Sequence, residues 1–156
     1  MSEMKATQKR PAWVTVIVIV NVFGWITTEG MWVVLHLTNK IPAISVMNSF
    51  FERSYIGLVN GFTIADAIWS NLSLLFSIVG LWKMKAWGWA AAIMANTIWL
   101  YSMTFTIVRD LLVTITPAMI FFSFFAIFAL VSTIYLWNNR YLFWQNDIAQ
   151  HRKHDL

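Results

Sequence analysis

The chain has 156 residues, 59% of them hydrophobic and only 12% charged, against about 25% charged in a soluble domain. It contains no cysteine, which excludes disulfides, thiolate metal sites and cysteine nucleophiles within it. The formal net charge of +4 does not point to nucleic acid: the basic residues stand in short segments at the ends of apolar runs, as membrane topology requires, with no basic aromatic surface.

Residues 1–11 are polar and basic, with Lys5, Lys9 and Arg10 ahead of Pro11. The apolar run over 12–37 is too long for a signal peptide, and no small-residue cleavage site closes it, so a retained membrane span is expected. Residues 38–54 form the longest loop. Within it, Phe50 and Phe51 beside Glu52 and Arg53 suggest a short turn lying on the membrane surface.

A second span is expected over 55–82, with Asp66 as its one ionisable residue. Lys83, Met84 and Lys85 make a tight basic turn. A third span covers 87–108 and is closed by Arg109 and Asp110. Pro117 suits the first turn of a fourth span over 117–137. In the tail, 138–156, Tyr141, Trp144 and Ile148 recur at helical spacing. This reads as an amphipathic cytoplasmic segment touching anionic headgroups. His151 and His154 lack a third ligand for metal.

The expected fold is therefore all-α: a single-domain integral membrane four-helix bundle, up-down, in the cell membrane. Lys5, Lys9, Arg10, Lys83, Lys85, Arg140, Arg152 and Lys153 fall on one side, and Lys40, Arg53 and Arg109 on the other. That bias puts both termini in the cytoplasm. Trp13, Trp82, Trp87, Trp89, Trp137 and Trp144 stand at the same ends, where amphipathic rings prefer the interface.

At 100° per residue the spans sort into faces. Asn21, Trp25, Thr28, Glu29, Trp32 and His36 share one face of the first span. Asn60, Thr63, Asp66, Ser70, Ser73 and Ser77 form a stripe on the second, and Asn96, Trp99, Ser102, Thr106, Arg109 and Asp110 one on the third. The fourth span shows no stripe, so it is expected behind the polar faces or against lipid. Its Phe121, Phe122, Phe124, Phe125 and Phe128 suggest an aromatic docking face.

Most serine, threonine and asparagine side chains in spans only bridge helices. Membrane-embedded acids are rarer and carry function more often. Glu29 and Asp66 lie roughly 10 and 15 Å below the outer ends of their spans, at 1.5 Å per residue. They are expected to share one pocket with Asn60, Asn96, Trp32 and Trp99, and Arg109 and His36 would stand near its mouth. Trp25, Trp32, Trp69 and Trp99 are of a kind that more often packs than forms a ligand cage, Arg109 with Asp110 reads first as an interface pair, and His36 first as an interfacial polar residue.

No phosphate loop, nucleophile elbow or multi-histidine set appears, so neither a catalytic residue nor a cofactor or metal is expected. The first functional expectation is a pocket that binds or transports a small cationic or amphipathic ligand, or protons, in a homo-oligomer. The second is an accessory subunit of a larger membrane complex. The third is a small membrane enzyme using the two acids on a lipophilic substrate.

Overall fold

A computed structural model describes residues 10–37, 50–113, 115 and 117–154, apart from the side chains at 29, 31–36, 50–53, 55, 56, 58, 59, 62, 63, 66, 113, 117, 118 and 149–154. The described residues are helical throughout their regular segments: α1 (Ala12–Leu37), α2 (Phe50–Trp82), α3 (Ala86–Val113), α4 (Pro117–Asn138) and α5 (Tyr141–His154). Stretches of α3 (Ala86–Leu112) and α4 (Met119–Asn138) are long and apolar enough to cross a membrane. Ala12–Thr28 and Ala67–Trp82 are shorter apolar stretches.

The boundaries have local causes. Pro11 precedes α1, and its carbonyl accepts from the Val14 and Thr15 amides at 3.1 and 3.4 Å. The surface turn expected at Phe50–Arg53 is instead the first turn of α2. No glycine or proline separates those residues from the apolar run, so the helix continues through them. For the same reason α3 runs on past Arg109 and Asp110 to Val113.

Lys83–Lys85 closes α2 and opens α3 in one tight turn. The Lys85 amide donates to the Gly80 carbonyl at 2.9 Å and the Met84 amide to the Leu81 carbonyl at 3.0 Å. These are the paired bonds of a Schellman ending. Met84 takes the left-handed position, φ 52°, which costs a side chain about 1–2 kcal/mol. Its side chain is buried among Val14, Leu81 and Phe143, and that burial offsets the cost.

In the packed helices, α2 lies against α1 and α3, and α3 lies against α4 and touches α5. Rings join α1 to α4: Trp13 meets Tyr135 edge-on at 6.1 Å, and Phe23 stacks on Phe125 at 6.2 Å. Close to the turn, α2 and α3 meet backbone to backbone. A Cβ on Gly80 would lie 2.8 Å from the Gly88 nitrogen, and one on Gly88 would lie 2.6 Å from the Leu81 nitrogen. Glycine at both positions is what allows this approach.

The interior holds two apolar clusters. One gathers Val14, Ile17, Val18, Leu81, Met84, Ala92, Leu136 and Phe143 at the basic end. The other gathers Leu74, Ala95, Trp99, Met103, Phe125 and Ala129. Thus α4 is a full partner in the core rather than a helix behind it. Its aromatic residues also divide: Phe125 is buried, Phe122 and Phe128 pack against the clusters, and Phe121 and Phe124 are exposed. A continuous outward aromatic face is not present. A uniformly apolar helix carries no pattern of its own to say which side faces in.

Candidate functional site

The buried polar residues converge inside the helices. On α2, Ser70, Ser73 and Ser77 are each 1% exposed or less, repeating every three to four residues along one face. The Ser73 hydroxyl donates to the Trp69 carbonyl at 2.5 Å and that of Ser77 to the Leu74 carbonyl at 2.8 Å. Such local bonds satisfy a hydroxyl without another helix. Ser77 also accepts from Asn21 Nδ2 of α1 at 2.9 Å.

Trp99 is the centre of this region. Its indole Nε1 donates to Ser70 Oγ at 3.0 Å. Its ring meets Phe125 edge-on at 5.6 Å. The other side of the ring lies over Gly24, where an added Cβ would come 2.5 Å from Cζ2 and nearer still to Cη2. One side chain of α3 therefore touches α1, α2 and α4. It fills the space between them, and in this place it serves as packing with one satisfied polar atom.

The other expected site residues are distributed as follows. Asn96 is buried on α3, and its Nδ2 has no hydrogen-bond partner among the described residues. Asn60 is half-buried on α2. Arg109 is about half exposed and bonds Asp110 Oδ1 through Nη2 at 2.7 Å and Nε at 2.9 Å. Asp110 is buried, and a buried carboxylate is costly without such a partner. The side chains of Glu29, Trp32, His36 and Asp66 lie outside the described residues. Trp69 is exposed and lines no interior pocket.

Sequence reasoning missed three participants. Gly24 lies between Asn21 and Thr28 on the polar face of α1, and that spacing was the available signal. Ser132 is fully buried on α4, where it appears only as one small residue among phenylalanines. Asp147 of α5 accepts from the Ala86 amide at 2.9 Å and pairs with Lys85 Nζ at 3.2 Å. It caps the start of α3 from a distant part of the chain. Among the described residues no group of His, Asp or Glu gathers to hold a metal. Apart from the Arg109–Asp110 pair, the described polar side chains of the site are uncharged. Comparisons with family models, curated proteins and solved structures give no match.

Proposed function

We propose that the chain is a single-domain four-helix bundle crossing the cell membrane up and down, with both termini in the cytoplasm. A polar site around Glu29 and Asp66 binds or transports a small cationic or amphipathic ligand, or protons. The observation that carries this reading is the inward burial of Ser70, Ser73 and Ser77. Asp66 stands four residues before Ser70 in the sequence of the same helix, and the proposal assigns it to that face. The proposal assigns Glu29, eight residues after buried Asn21, to the polar face of α1.

The outer surface supports the membrane setting. Ile19, Ile26, Leu72, Phe76, Ile127 and Ile134 are all exposed, an arrangement that water penalises and lipid does not. The basic end also fits a headgroup boundary. Arg10 lies over the Trp82 ring at 3.7 Å, and Trp137, Tyr141, Trp144 and Ile148 are exposed there. Anionic lipid headgroups are the partner that α5 would meet.

A carboxyl group inside a membrane carries either a proton or a cation, and exchanging them couples ligand binding to proton movement. Trp99, packed among α1, α2 and α4 and bonded to Ser70, would bound the site as packing. Arg109, bonded to Asp110, stands toward the opposite end. The accessory-subunit reading has less support, because Phe122, Phe125 and Phe128 pack inward.

The test is uptake of a lipophilic cation into reconstituted vesicles under a pH gradient. Glu29→Gln and Asp66→Asn are each expected to reduce uptake at least tenfold while the proteins remain folded. Unchanged uptake and unchanged proton coupling in both variants would remove the acids from the function.

A further inference from the structure

Most of the described lysine and arginine side chains have an acceptor within the chain. Lys85 pairs with Asp147 at 3.2 Å, and Arg109 with Asp110 at 2.7 Å. Arg140 donates from Nη1 to the Trp137 carbonyl at 3.0 Å. Arg10 and Lys83 are given no acceptor among the described residues.

These two residues flank one ring. The Arg10 guanidinium carbon stands 3.7 Å from the centre of the Trp82 ring, and Lys83 follows Trp82 in the chain. The indole covers the guanidinium from one side and attracts its charge. Arg10 Nη1 is shielded from solvent and has no hydrogen-bond partner. A shielded charged donor is costly until an acceptor reaches it. Trp82 and Lys83 are exposed and Arg10 is half-buried, so the position opens onto the molecular surface. Asp147, the acid described at this end, is engaged with Lys85 and the Ala86 amide. No described group here supplies the missing negative charge.

We propose that Arg10 and Lys83 bind the phosphate of an anionic phospholipid beside the Trp82 ring. A guanidinium offers N–H groups in a planar fork that matches two phosphate oxygens, and a lysine adds a flexible point charge. Trp13, Trp82 and Trp87 are all exposed, and such rings prefer the headgroup level, where lipid phosphates lie. The site rests on the membrane setting proposed above and uses no residue of α5.

The test is native mass spectrometry of the full chain in mild detergent. Phosphatidylglycerol or phosphatidylcholine with the same acyl chains is added. Wild type should retain phosphatidylglycerol in preference. Arg10→Gln and Lys83→Gln should each lower its retention about fivefold, the equivalent of about 1 kcal/mol per basic residue. Lys83 is exposed, so its replacement reads the site without disturbing packing. Arg10→Lys keeps the charge and should lose less than Arg10→Gln. Arg140→Gln removes a charge already bonded within the chain and should lose least.

Equal retention of the two lipids by wild type overturns the site and leaves the membrane setting standing. An equal loss in all three glutamine variants also overturns it, by showing diffuse attraction to charge. Inorganic phosphate that binds the lipid-free protein with the same dependence on Arg10 overturns the lipid as its source. A chain that stays soluble without detergent and retains neither lipid overturns the membrane setting itself.

Discussion

The Trp99 indole meets one residue from each of the other long helices: Gly24, Ser70 and Phe125. In an ordinary helix, Gly→Ala stabilises by roughly 0.5–1 kcal/mol. At Gly24 the new methyl would run into the indole ring, and overpacking costs about 1–3 kcal/mol. We expect Gly24→Ala to destabilise the protein in chemical unfolding followed by tryptophan fluorescence. In a Trp99→Leu background the same change should become neutral or favourable, because the obstructing ring is gone. A stabilising Gly24→Ala in the wild-type background would show that the ring is free to move aside.

At the scale of elements, the α2–α3 turn and α5 depend on one another. Helix α3 opens at Lys85, whose carbonyl accepts the first helical bond, from Trp89, at 3.1 Å. Lysine has no side-chain acceptor for the free amides of the first turn. Asp147 supplies one from α5, and its negative charge also suits a helix N-terminus. The Lys85–Asp147 ion pair is partly exposed and adds little by itself.

The start of α5 is anchored by Phe143, which is fully buried. The junction with α4 is held by polar groups: Trp89 Nε1 donates to the Leu136 carbonyl at 2.9 Å and Asn139 Nδ2 to the Tyr135 carbonyl at 2.9 Å. Asp147→Ala should therefore cost about 1 kcal/mol through the lost cap. It should also speed tryptic cleavage after Arg140. Asp147→Asn keeps an acceptor and should lie between Ala and wild type. Equal cleavage rates in all three proteins would show that Phe143 alone holds α5.

At the scale of the whole molecule, the basic end gathers the start of α1, the α2–α3 turn and the α4–α5 junction. The contacts Arg10–Trp82, Trp89–Trp137 and Lys85–Asp147 join them. In the proposed topology this end is cytoplasmic. The chain lacks cysteine, so single cysteines report without background. Ser54→Cys should react with an impermeant maleimide on intact cells. Lys83→Cys should react only after permeabilisation. The reverse pattern would invert the bundle.

The helices and their inward polar faces were legible in the sequence, because both are set by short-range rules. α1 spans the same residues as the apolar run, and Pro117 opens α4. The 100° periodicity separated buried Ser70, Ser73, Ser77, Asn21 and Asn96 from exposed Leu72 and Leu75. The pairings were not legible, because they join residues far apart in the chain: Ser70 with Trp99, Gly80 with Gly88, Ala86 with Asp147. Nor was the inward side of α4, which is apolar all round until its neighbours choose Phe125, Ala129, Ser132 and Leu136. A helix's own period says where its polar stripe lies, but only the packed partners decide what that stripe, or a stripe-less helix, will touch.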